Sequence, residues 1–456
     1  MRALVIPAGA VSIAPGQRAT SVVAAHPAGT AFVFEPGVHR DVSIRPRNGD
    51  RYFGRPGAVL RGSQVLIGFA PRDGYWAVGG QRSELSTHGS CEVLANGSRY
   101  DACGHPEQLF VDGETWRQVS SVAQLGPGRW YFDYAADRVY VGANPTGHTV
   151  ELATTRNAFS GKARNVRISG LVIERYANRA QTGAIDASGS SGWIVEANEL
   201  RFNHGYGLRI GNAMQVLEND VHHNGQLGVG GVGNDVLVAG NEIAYNHTAG
   251  FHAPWEAGGT KFARTRNLVF RDNWVHHNAG RGIWTDIDNV DVLIANNLSE
   301  WNARGGIVHE ISYEAVIRDN VARYNGLAFD VWAWGAQILI QDSSDVQVFG
   351  NDVTVSARGG NGITIVNQPR GNGPRGPYVS ERVVITDNLI RHLGSNGMNG
   401  APEHQCRIGN RYDGNTYEAP ARWFERARIF WCGDAMRWDQ FRQAGQEAAG
   451  QAITLS

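Results

Sequence analysis

The sequence predicts an all-β solenoid, with parallel strands wound into a three-sided coil that carries a small inserted β subdomain and a C-terminal cap. Three observations predict it. Asparagine recurs in register: Asn198, Asn219, Asn241, Asn273, Asn297 and Asn320 are each followed, five residues on, by Asn203, Asn224, Asn246, Asn278, Asn302 and Asn325. Beyond the pairs come a glycine and alternating residues, as in Gly207-Leu208-Arg209-Ile210, Gly282-Ile283-Trp284-Thr285 and Gly306-Ile307-Val308-His309. Such alternation buries one face of a strand and exposes the other. Glycine is in excess, 58 of 456 residues against 16 prolines, as in a fold of many tight turns. No Gly-X-Y period accompanies it, which excludes collagen.

The first asparagine column steps by 21 to 24 residues in most rungs, with longer intervals where a rung carries extra chain, and Asn351 and Asn388 continue it. No 3.6-residue period lies between the strands, which excludes βαβ units. Asparagine tolerates the left-handed conformation of a corner, and stacked copies of its side chain bond to one another.

Taken in order, residues 1–70 form an N-terminal cap and first rungs, around Ala31-Phe32-Val33-Phe34-Glu35-Pro36-Gly37. Residues 71–155 break the period and read as short hairpins, for example Trp130-Tyr131-Phe132-Asp133. Residues 156–405 are the repetitive core. Residues 406–456, with a helical stretch from Trp438 to Ala448, cap it; a solenoid end must be covered to hide its open core and strand edges.

Composition bounds the function. Charged residues are 19% of the chain and the formal net charge is -1, which gives no cationic surface for nucleic acid. No apolar run reaches the roughly 20 residues of a membrane-spanning helix. The 13 tryptophans suit a carbohydrate partner, whose flat apolar faces stack on indole, and also suit a large β core. Cys91, Cys103, Cys406 and Cys432 form two local pairs without CxxC spacing, so two disulfides, Cys91–Cys103 and Cys406–Cys432, are expected in a secreted or periplasmic bacterial protein. The segment Met1 to Pro7 has no clear signal-peptide core.

The repeat, best seen in Val292-Leu293-Ile294-Ala295-Asn296-Asn297 and Val316-Ile317-Arg318-Asp319-Asn320, resembles that of right-handed parallel β-helix proteins of the pectate-lyase-like type. The resemblance spans about residues 156–405 and implies a single-stranded right-handed β-helix. It leaves function open, because lyases, hydrolases, epimerases and phage tailspikes share the solenoid.

Strand parity places candidate chemistry. Ile283, Thr285 and Ile287 point inward, so Trp284, Asp286 and Asp288 point outward; one rung later Ile307 and Ile311 point inward, Val308 and Glu310 outward. Asp286 and Glu310 thus share a column on neighbouring strands, about 4.8 Å apart. That spacing suits a retaining glycosidase, whose carboxylates stand roughly 5–5.5 Å apart. The segments Gly282-Ile283-Trp284-Thr285-Asp286 and Val308-His309-Glu310-Ile311 resemble the site strands of β-helix β-xylosidase-type glycoside hydrolases. The resemblance implies Asp286 as nucleophile and Glu310 as acid/base.

The preceding rung supplies further substrate-binding candidates. His252 is expected in the column of Trp284, and Trp255, Glu256 and Lys261 on an extra loop. Lys261, one of only two lysines, is a candidate partner for a sugar hydroxyl or for the nucleophile. Downstream, Trp332 and Trp334 are expected as aromatic walls. His222-His223 and His276-His277 look like metal ligands, but their column continues as Phe202, Tyr245, Trp301 and Tyr324, so no metal site is expected and the second histidines read as an aromatic stack. His309 reads as a core histidine. The leading expectation is a retaining glycosidase without cofactor. A uronate lyase, with calcium as a possible cofactor, and a non-catalytic glycan-binding solenoid are the alternatives; an acidic candidate face argues against the lyase unless calcium intervenes.

Overall fold

From Asn219 in the first column and Asn246 in the second, the asparagines form hydrogen-bonded ladders in the computed structural model, which describes residues 5–82, 85–93, 101–329, 331–403 and 408–455. The side chain of Asn273 donates to Asn297 Oδ1 at 3.1 Å and that of Asn297 to Asn320 Oδ1 at 2.9 Å. The ladder runs on through Asn351, Asn388 and Asn415. Each step needs an acceptor on the next rung, and at the last rung Glu447 supplies it, accepting from Asn415 Nδ2 at 2.7 Å. A second ladder links Asn246, Asn278, Asn302 and Asn325 and ends on Gln337. Asn273, Asn297 and Asn320 stack in one column, while the positive φ of the corner, 55° to 58°, falls on the residue before each, Asp272, Asn296 and Asp319.

The chain divides into two compact units: residues 1–209, 222–226 and 248–256 in the first, and 210–221, 227–247 and 257–456 in the second. In the second unit each rung gives one short strand to each of three parallel sheets. One sheet contains Arg266–Arg271, Val290–Ala295 and Tyr313–Arg318. Another contains Trp274–His276, Leu298–Glu300 and Val321–Arg323. The third stacks Gly258–Phe262, Ile283–Asp286, Ile307–Glu310, Ala336–Gln341 and Asn361–Val366. Ile283, Thr285 and Ile307 are fully buried in its inner face. Strands continue beyond residue 405, at Arg411–Asp413, Thr416–Pro420, Ile429–Trp431 and Gln451–Leu455. The segment expected to be only a cap therefore completes rungs as well. Its helix is Trp438–Gln443, shorter than expected.

The first unit carries parallel rungs of the same kind, such as Ala31–Phe34, Arg51–Gly54 and Arg167–Ser169. It also holds the inserted sheet, which begins at Ser63–Val65, ahead of the expected boundary at 71, because that strand pairs antiparallel with Val150–Ala153. Trp130, Phe132, Val139, Val141 and Leu152 form its core. Cys91 and Cys103 are bonded, with Cα atoms 5.7 Å apart. The expected Cys406–Cys432 pair falls on Cys406, which lies outside the described residues.

The histidine column is aromatic. His277 stacks on Tyr245 at 5.2 Å and on Trp301 at 6.3 Å, and Trp301 meets Tyr324 at 4.7 Å. All four have positive φ, between 51° and 58°, so this column marks a corner. His309 is fully buried, its Nδ1 2.8 Å from Thr285 Oγ1, and burial lowers its pKa to about 3, leaving a neutral ring.

Candidate active site

The strand pairing sets the site. Ile283, Trp284, Thr285 and Asp286 lie opposite Ile307, Val308, His309 and Glu310 in unbroken parallel register. Asp286 and Glu310 are therefore direct neighbours, each about 5% exposed. Alternation stops at these two residues. Ile287, Asp288 and Ile311 take positive φ of 63°, 58° and 35°, so Ile287 and Ile311 turn a corner and do not point inward along a strand. Asp288 consequently leaves the column and accepts a hydrogen bond from the Tyr378 hydroxyl at 2.6 Å.

Lys261 is not on a loop. The extra residues of its rung are taken up before Gly258, including the short helix Ala253–Glu256, and Lys261 lies in the strand Gly258–Phe262, where Phe262 pairs with Thr285. Lys261 thus holds the place beside Trp284 that was expected for His252. Its Nζ, itself buried, is 2.9 Å from Asp286 Oδ2. His252, Trp255 and Glu256 belong to the first unit. There the His252 amide donates to Ser90 O at 2.8 Å, Trp255 meets His88 edge-on at 5.8 Å, and Glu256 accepts from Gln181 Nε2 at 2.9 Å.

Trp284 is buried and is not a sugar platform. The Lys261 ammonium and the Arg281 guanidinium lie over its ring, 4.1 and 4.0 Å from the centroid, a cation–π arrangement strengthened by desolvation. Its Nε1–H donates to Glu310 Oε2 at 3.1 Å. Glu310 also meets Arg370 Nη1 at 3.1 Å through Oε1 and Arg281 Nη2 at 3.7 Å through Oε2. Trp334 packs on the apolar cluster of Trp284, Val308 and Leu339. Trp332 is exposed and lines a cavity of about 620 Å³ with Arg370, Tyr378, Asn367 and Gln368.

The electrostatics follow from this crowding. Burial, and then the Glu310 charge, push the Asp286 carboxyl above its ordinary range; Lys261 and Arg281 offset part of this. Asp286 Oδ1 meets no hydrogen-bond donor among the described residues. Asp342, fully buried beyond Arg370, is raised by burial to about 6.

The sequence reading missed Arg281, Arg370, Tyr378 and Asp342. Arg281 stands directly before the Gly282-Ile283-Trp284 strand, so strand alignment shows it. Arg370 and Tyr378 lie in the segment after Asn361–Val366, where no periodicity marks them.

Comparison with known proteins agrees on the architecture. Residues 183–368 match the family model described as "Right handed beta helix region". The fold is a right-handed parallel β-helix. XylC, solved as a complex with xylose, superposes with a TM-score of 0.73 over 95% of this chain and 82% of its own, at 14% identity. The A-module of the mannuronan C-5 epimerase AlgE6 from Azotobacter vinelandii gives 0.46 over 96% and 93%, at 11% identity. At 14% identity the likeness to XylC shows the fold alone. No curated protein matches the sequence.

Proposed function

We propose that the chain is a glycoside hydrolase of the retaining type, with Asp286 as nucleophile and Glu310 as acid/base. One observation carries the reading: two buried carboxylates, in register on adjacent parallel strands, at a strand spacing of about 4.8 Å that suits a retaining pair. Lys261 holds Asp286 Oδ2 and so orients the carboxylate that attacks the anomeric carbon. Glu310 protonates the departing oxygen, then takes the proton of the water that releases the sugar. The attack needs Asp286 ionised, and the Lys261 ammonium favours that form against burial and the Glu310 charge, which raise its pKa. The likeness to XylC, a protein solved with xylose, supports a sugar substrate. The Cys91–Cys103 disulfide supports an oxidising compartment outside the cytosol.

The test is a panel of aryl glycosides and polysaccharides. Asp286→Ala should abolish turnover. Glu310→Ala should lose less on an activated aryl glycoside than on a natural one and should be rescued by azide, since a small anion attacks the glycosyl-enzyme without a general base. The first-formed product should keep the anomeric configuration of its substrate. Near wild-type turnover by Asp286→Ala on every active substrate sinks the reading. β-Elimination on uronates remains a second reading, because Arg281 and Arg370 stand beside the acids, so the face carries more positive charge than expected from sequence. Ultraviolet absorbance of an unsaturated product separates the two.

A further inference from the structure

One guanidinium stands between two buried carboxylates. Arg370 Nη1 is bonded to Glu310 Oε1 at 3.1 Å and lies 4.0 Å from Asp342 Oδ2. Asp342 is fully buried at the corner just after the strand Ala336–Gln341, with a φ of 49°. Its Oδ1 accepts from the amide of Gln368, two residues ahead of Arg370. Its Oδ2 meets no hydrogen-bond donor among the described residues. Asp342 thus anchors the segment that carries Arg370 with one oxygen. The other oxygen is left near the guanidinium, beyond the roughly 2.7–2.9 Å of a charged hydrogen bond. A buried carboxylate oxygen without a donor is costly, and the cation that would satisfy it is committed to Glu310.

The segment itself is held without Arg370. Arg375 pairs with Glu314, the Tyr378 hydroxyl donates to Asp288 at 2.6 Å, the Tyr313 hydroxyl to Gly376 O at 3.0 Å, and the Ser380 hydroxyl to Val366 O at 2.7 Å. At its start the Asn367 amide donates to Glu403. Passing the guanidinium from one carboxylate to the other therefore takes a change of side-chain rotamer and no loop opening. Arg370 has room for it, being partly exposed on the cavity that it lines with Trp332 and Tyr378.

The choice matters to the chemistry. Trp284 Nε1–H occupies Glu310 Oε2, and Arg281 lies 3.7 Å from the same oxygen, so Oε1 is the oxygen that faces a reaction. An oxygen bonded by a guanidinium does not carry the proton that a departing glycosidic oxygen needs. We propose that Asp342 is a positioning residue, whose carboxylate draws Arg370 off Glu310 Oε1 and so releases the acid/base for reaction. This rests on the reading of Glu310 as acid/base. Charge is the control. Burial raises Asp342 to about 6; the Gln368 amide, Arg370 and Gln341 work against burial, and the Glu310 charge works with it. Below that pH Asp342 is neutral and leaves Arg370 on Glu310. Above it Asp342 is charged and competes for the guanidinium.

The Trp284 indole N–H, bonded to Glu310, reports on the pair without any substrate. Its NMR resonance, assigned with Trp284→Phe, is followed across the titration of Asp342. The wild type should show a step near pH 6. Asp342→Asn should lack the step because the charge no longer changes, and Arg370→Met because no guanidinium is left to move. On a natural glycoside at neutral pH, Asp342→Asn should lower kcat/KM at least about tenfold, the effect of one charged hydrogen bond kept on Oε1. It should lose less on an activated aryl glycoside, which needs no proton. Adding Arg370→Met to Asp342→Asn should then raise kcat/KM again, since the blocking guanidinium is gone. A double variant no faster than Asp342→Asn overturns the inference, because a merely structural Asp342 gives that result. The step persisting unchanged in either single variant overturns it too, and Arg370→Met alone supplies that test should Asp342→Asn fail to fold. A step that behaves as expected, with no glycoside turned over, leaves the coupling of Asp342 to Arg370 standing and sinks the hydrolase. Turnover with retained configuration and no such step does the reverse.

Discussion

Replacing Lys261 by methionine removes the cation hydrogen-bonded to Asp286 and keeps an unbranched stem in the same buried strand position. An opposite charge at this range lowers a carboxyl pKa by about 1–3 units. Asp286 is already raised by burial and by Glu310, so losing Lys261 raises it further. If Asp286 must be ionised to attack, the acid limb of the kcat/KM profile should move up by about 1–3 pH units, and at a fixed pH below the limb each unit should lower the rate about tenfold. Lys261→Arg should keep most of the wild-type profile. Stability carries the same signature. A carboxyl raised in the folded state contributes stability that is complete below its unfolded value of 3.8 and is lost as pH rises through the folded value. The gap in melting temperature between wild type and Lys261→Met should therefore widen from acid toward neutral pH. An unmoved acid limb, together with a gap that does not change with pH, refutes the argument that Lys261 acts through Asp286.

Two further perturbations test the scaffold. Asn297→Ala removes an Nδ2 group shared among three acceptors and takes Oδ1 from both the backbone and side-chain N–H groups of buried Asn273; urea unfolding should show a loss of about 2–4 kcal/mol, against less than about 0.5 kcal/mol for Gln347→Ala, exposed on its strand. Removing the Cys91–Cys103 bond by a double serine substitution should cost about 2–4 kcal/mol, and Ellman titration of the unfolded, unreduced wild type should find neither thiol.

The fold was legible because its stabilising contacts repeat. Each Asn binds its own copy on the next rung, so the ladder writes itself into the sequence as a column, and the register of Asp286 with Glu310 follows by counting from Asn273 and Asn297. Counting fails where the chain stops repeating. The insertion before Gly258 moved Lys261 into the column expected for His252, and the corner after Asp286 removed Asp288 from the outward face. Arg370 and Tyr378 reach the site from a segment with no rung-like spacing, so their sequence positions carry no mark of what they touch. Trp284 was placed correctly by parity, yet its role depends on Lys261 and Arg281 covering its ring, which alternation does not encode.

A stacked solenoid brings like side chains together at about 4.8 Å, and each column must resolve what that proximity imposes. Asparagine resolves it because its side chain both donates and accepts, and the corner aromatics resolve it by ring contact. A column of carboxylates has no such solution of its own. Asp286 and Glu310 persist because Lys261, Arg281 and Arg370 approach them from other columns and because burial raises the Asp286 pKa.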